Sequence, residues 1–252
     1  MSALILKDWM NPTNPVVGVE QLVVLKERDG TRATVRAAIE ETVRDHFAGL
    51  DILARIGKYK TALEFIRNKL PPGKRARSGD FGEMLASEYI DQLTEYRVPI
   101  KKLRWKDDRA TTMRGNDVIA IRNFKKRWRL LKAESKSRAA LSPAVVTQAI
   151  DGLNQHSGRP NPSSLAFIAH RLRELNRDAE AEVFEDLQSR TPKLDEVEQM
   201  VFTVSGNDPT TQLQQAHAKG APVTRHFVGC VIADHQSFIN ALFDKLHAGK
   251  RR

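Results

Sequence analysis

Two short, mostly apolar segments constrain this chain more than any other feature. Residues 117–122 and 128–136 each read as a strand, and only a few polar residues separate them. If the chain turns between Lys125 and Lys126, every cross-strand partner follows, and Asp117 faces Glu134. Opposed residues of an antiparallel pair have Cβ atoms about 4.5–5.5 Å apart. Lys136 lies two residues beyond Glu134 and so points to the same face. A slip of one residue would send the two carboxylates to opposite faces.

That trio has a chemical meaning. Two carboxylates so close repel, and one is driven toward its protonated form unless a cation sits between them. Oxygen ligands suit Mg²⁺ or Mn²⁺. The backbone carbonyl of Ser135 is a further candidate ligand, and Lys136 is placed to orient a water or to stabilise developing charge. A surface cluster in which Lys136 simply pairs with Glu134 or Asp117 accounts for the same residues. The apolar neighbours Val118–Ile121, Leu130, Leu131 and Ala133 favour the metal reading, because a charge in a buried strand needs a partner.

Charge supports a polyanionic partner. The chain has 252 residues and a net charge of +10. Between Arg97 and Arg138 there are 15 Lys and Arg against four acids, and two of those four are Asp117 and Glu134. Arg114, Lys125, Lys126, Arg127 and Arg138 are the candidate nucleic-acid contacts. Trp105 and Trp128 lie in the same region, as base-stacking residues or, more commonly for strand aromatics, as core.

Several classes are disfavoured. No G-x-x-x-x-G-K-[ST] occurs, so no ATP is expected on this chain. The seven histidines lack zinc-ligand spacing. The single cysteine, Cys230, cannot form an intrachain disulfide and reads as a buried small hydrophobe in a reducing compartment. No apolar run approaches the ~18–20 residues of a membrane span, and the start lacks a secretory leader. A cytoplasmic protein with no membrane partner is expected.

The rest of the chain alternates helices and strands, giving an α/β protein with a mixed central sheet flanked by helices. Helices are expected over 31–47 and 60–70, from an Asp80 N-cap, from Ser142-Pro143, over 163–175, 179–188 and 209–219, and after 234. Further strands are expected over 19–26, 97–105, 198–205 and 224–233. Residues 74–79 read as a basic loop. Glu83 has two readings: the far residue of a capping box begun by Asp80, or an additional acidic group facing the Asp117–Glu134 pair.

The order Gly82-Glu83, Asp117, Glu134-Ser135-Lys136, then a helix from Ser142, resembles the core of the PD-(D/E)xK nuclease superfamily. Asn116 stands where that pattern usually has proline. The segments Arg77–Glu83, Arg114–Asp117 and Lys132–Lys136 look like the nuclease subunits of Hachiman anti-phage defence systems, most strongly over residues 63–153. The resemblance implies a restriction-endonuclease-like core with helical N-terminal and C-terminal elaborations. Asp117 and Glu134 would be metal ligands, Lys136 the catalytic lysine, Glu83 an added acidic residue and Gln148 an assisting residue. It also implies DNA as substrate and a superfamily 2 helicase subunit as gating partner. The expected divisions are an N-terminal extension over 1–77, a nuclease core over 78–158, and a C-terminal α/β part over 159–252 that completes the sheet and docks the partner. A non-catalytic nucleic-acid-binding or adaptor subunit on a degenerate nuclease fold is the alternative.

Overall fold

The computed structural model of the chain describes residues 5–15, 20–56, 59–106, 109 and 115–249. Helices α1 (Leu6–Trp9), α2 (Thr31–Ala48), α3 (Leu50–Ile56), α4 (Tyr59–Lys69) and α5 (Lys74–Leu93) fill the first part, with strands β1 (Met10–Thr13) and β2 (Leu22–Glu27) before α2. Strands β3 (Val118–Phe124) and β4 (Arg127–Arg138) follow. Then come α6 (Pro143–Asn154), α7 (Pro162–Glu174), α8 (Asp178–Arg190), β5 (Val197–Ser205), α9 (Thr210–His217), β6 (Arg225–Val231) and α10 (His235–Ala248).

All six strands form one mixed sheet in the order β1-β2-β6-β5-β4-β3. Its middle is parallel, β2 to β6 to β5 to β4, and an antiparallel strand closes each edge. Parallel strands are covered on both faces, so β5 is buried along almost its whole length. Alternation splits its side chains: Met200, Phe202 and Val204 join the core under α5 and α10, while Val201 joins the core under α6 and α9. A third cluster, built from α7 and α8, covers Ile119 and Ile121 of the edge hairpin. The α/β architecture expected from the sequence is therefore present, and strands from the N-terminal, central and C-terminal parts share the sheet.

The hairpin turns at Lys125 and Lys126, both with positive φ (50° and 61°), the mirror-image turn that matches the twist of paired strands. Its register is Val118↔Ala133 through Phe124↔Arg127, which is the pairing expected from the sequence.

Two expectations fail. Residues 97–105 do not form a strand: Arg97 makes an isolated bridge to Ile121, and Lys102–Trp105 is a 3-10 turn. Pro99 within the run removes a ladder donor. Nor does a helix start at Asp80. Helix α5 runs from Lys74 with Gly73 as its N-cap, so residues 74–79 are helical. Asp80 lies mid-helix, where Lys106 Nζ donates to its Oδ2 (2.6 Å). Glu83 is thus a mid-helix residue, and its capping-box reading falls.

Candidate active site on the edge hairpin

The site lies where β3 begins and β4 is still running. Continuing the register one step past Val118↔Ala133 sets Asp117 opposite Glu134. The Ser135 N–H donates to Asp117 Oδ2 (2.9 Å). A strand residue's N–H and C=O leave the same edge, so the Ser135 carbonyl faces the same opening as Asp117. Lys136 Nζ donates to Glu134 Oε1 (2.6 Å). Each carboxylate is therefore held by its neighbour strand or its own.

Packing on both sides of β4 fixes these positions. On one side Gly152 of α6 lies against Glu134: a Cβ there would stand 2.9–3.1 Å from the carboxylate. On the other, Gly82 of α5 lies against Ser135, and a Cβ there would meet its Oγ at 2.7 Å. Both helices approach the strand only because these positions lack a side chain. Lys132 shares the face of Glu134 and Lys136 but serves structure. It is fully buried, and its ammonium donates to the carbonyls of Leu153, Gln155 and Arg159 (2.9–3.0 Å). These bonds tie the end of α6 to the strand.

Asp117 is also set from behind by Asn116. The Asn161 N–H donates to Asn116 Oδ1 (2.7 Å), the Asn116 N–H to Ser164 Oγ (3.1 Å), and Lys102 Nζ to the Asn116 carbonyl (2.7 Å). Three hydrogen bonds hold the backbone and side chain of Asn116 in place.

The electrostatics follow from crowding. Burial raises the Glu134 pKa, and Asp117 raises it further, against the pull of Lys136. Burial pushes Glu83 up to about 8. Lys102 and Lys106 oppose that shift, and Asp117 and Asp80 add to it. Glu83 thus feels the site's charge from the α5 side. Among the described residues, no group of three or more His, Cys, Asp or Glu side chains is disposed to hold a metal ion. The donor set offered to a cation is two carboxylates and the Ser135 carbonyl. Hard oxygen donors of this number fit Mg²⁺ or Mn²⁺, which complete their shells with water and substrate oxygens.

The other sequence candidates divide. Arg138 continues the row beyond Lys136 at the end of β4, where it donates to the Ser137 carbonyl (2.8 Å). Gln148 is exposed, one helical turn before Gly152 on the same side of α6. Lys125, Lys126 and Arg127 are exposed at the hairpin tip; Lys125 is eight residues, or about 26 Å, along the strand from Asp117. Arg114 lies outside the described residues. Nothing in the sequence marks Lys102 and Lys106 as charges acting on Glu83, because their positions depend on the 3-10 turn and the residue that ends it. Lys132 was detectable only as a lysine in phase with Glu134 and Lys136.

Fold and site together define an α/β protein whose edge hairpin carries an opposed Asp–Glu pair and an adjoining lysine. More particularly, the chain belongs to the HamA family, whose profile matches residues 20–246. It is 25% identical over 175 residues to the Hachiman protein HamA of Bacillus cereus, a match covering 69% of this chain and 62% of that protein. The aligned region thus spans about three-fifths of the relative's length.

Proposed function

We propose that the chain is a Mg²⁺- or Mn²⁺-dependent deoxyribonuclease on a PD-(D/E)xK-like core. In this reading it is the effector subunit of a Hachiman anti-phage defence complex, gated by a superfamily 2 helicase partner. The observation that carries the proposal is the hairpin register, which opposes Asp117 and Glu134 and sets Lys136 beside them. Membership of the HamA family supports the defence role.

Asp117, Glu134 and the Ser135 carbonyl would hold the cation. When bound, it polarises the scissile phosphate and lowers the pKa of a coordinated water. Opening of the Lys136–Glu134 pair frees the ammonium to orient the attacking water and to stabilise charge on the phosphate. Glu83 holds its proton to about pH 8 in the metal-free chain, and a nearby cation favours its ionised form. The exposed Lys125, Lys126 and Arg127 would grip backbone phosphates about 26 Å away, so a bound duplex would run along the hairpin. The outer faces of α7 and α8 are proposed as partner-docking surface.

The test uses the partner-bound protein with DNA and Mn²⁺. Glu134→Ala and Lys136→Ala should each abolish cutting while thermal unfolding stays close to wild type. Undiminished cutting in both would sink the assignment.

The second reading, a non-catalytic DNA-binding subunit, is favoured by the closed Lys136–Glu134 pair at 2.6 Å. It expects salt-sensitive DNA binding with no divalent-metal requirement. A Mn²⁺ titration of cutting by the complex separates the two.

A further inference from the structure

A cavity of about 580 Å³ opens beside Asp117, a volume typical of sites that take a single small ligand. Asp117 lines it, but Glu134 and Lys136 do not. Its floor is apolar, with Ile100, Ile119 and Ile168. Trp105 and Phe167 form aromatic walls, and the Arg171 guanidinium lies 4.7 Å from the Trp105 ring and 5.3 Å from the Phe167 ring. Glu174 holds Arg171 in place with two hydrogen bonds (2.6 and 2.7 Å). Lys102 adds positive charge, the buried Lys106 ammonium being paired with Asp80 (2.6 Å), and Ser163 stands exposed on the lining at the first turn of α7.

We propose that this cavity receives one unstacked nucleotide next to the scissile phosphate, so that the site acts on single-stranded or frayed DNA ends. The inference rests on the reading of the Asp117 site as a nuclease centre. Its chemistry is that of a nucleotide: apolar and aromatic surface for a base, the Lys102 ammonium for a phosphate, and an Arg–aromatic stack of the kind that packs on base planes. A base still paired within a duplex cannot enter a recess of this shape; it must leave the stack first. The cavity adjoins one metal-ligand candidate, so the nucleotide held there would be a direct neighbour of the reacting phosphate. The hairpin tip is too distant to share that role.

The test is binding, measured by fluorescence anisotropy on the full chain in chelator, where no cutting occurs. The probes are a labelled six-nucleotide thymidylate strand and a blunt duplex hairpin. Phe167→Ala should weaken single-strand binding by about 5- to 150-fold, the range of one lost base stack, with duplex binding unchanged. Ser163→Glu guards against misfolding, since an acidic residue in the first turn of a helix is favourable. It should also weaken single-strand binding, with an unchanged melting temperature. Single-strand affinity indifferent to both variants, or an equal loss on the duplex, would overturn the proposal. Pocket-dependent binding without cutting in any divalent metal would retain the cavity assignment and remove the nuclease reading. Metal-dependent cutting with binding indifferent to both variants would do the reverse.

Discussion

The two ends of the β3–β4 hairpin carry opposite charge in opposite surroundings. At the tip, Lys125, Lys126 and Arg127 stand in water, and their position is set by a two-residue turn. At the open end, Asp117 and Glu134 are half-buried between α5 and α6, and their position is set by packing on both faces of β4. Charge in water costs little to hold, so the tip can bind a partner without special support. Charge in a half-buried strand must be fixed by neighbours, and here those neighbours are a backbone N–H, a lysine and two glycine-lined helix contacts. The difference separates a region built to touch from one built to hold.

The largest expected effect breaks the buried support. Lys132→Met removes the ammonium from the Gln155 and Arg159 carbonyls and one of two side-chain donors from Leu153, which keeps Gln199, and should destabilise the fold by roughly 2 kcal/mol or more, seen in urea unfolding. The matching change at the tip, Lys125→Met, should leave stability nearly unchanged. Gly152→Ala comes next. Its Cβ overlaps the Glu134 carboxylate, and a cost of about 1–3 kcal/mol is expected, together with reduced metal affinity.

The pH dependence sharpens the contrast further. Burial raises Glu83 to about 8 from an ordinary 4.5, so the folded state binds more protons than the unfolded state across that window. Stability from this group is therefore present at low pH and falls as pH rises from about 4.5 to 8. Glu83→Gln should flatten that slope in chelator and melt higher than wild type above pH 8. The smallest effect is at the tip. Lys126→Gly relieves a positive φ and should stabilise by up to about 1 kcal/mol, while lowering the salt dependence of DNA binding by about one ion.

How much was legible in the sequence follows the same division. The hairpin register could be read because a short turn between two apolar runs fixes every partner, and with it the facing of Asp117, Glu134 and Lys136. The helix around Glu83 begins six residues before the start its sequence suggests. Asp80 followed by Glu83 matches a capping box, yet tertiary burial of Ser78 and Asp80 carries the helix back to Lys74. The run 97–105 has apolar residues in near alternation, but Pro99 and the turn at Lys102 end any ladder. The charges of Lys102 and Lys106 acting on Glu83 are consequently not legible in the sequence. The role of Lys132 is invisible in the sequence because its acceptors lie 21–27 residues away, at the end of α6 and in the segment after it. Asn116 could be seen as a departure from a pattern, but not as the centre of three hydrogen bonds.

The central claim is that Asp117 and Glu134 share one divalent cation across the hairpin. Calorimetric titration of Mn²⁺ into the full chain tests it without any dependence on partner gating. Wild-type protein should show a saturable site that is lost in both Asp117→Asn and Glu134→Gln, with each variant still folded. Unchanged Mn²⁺ binding in either variant would contradict a shared site.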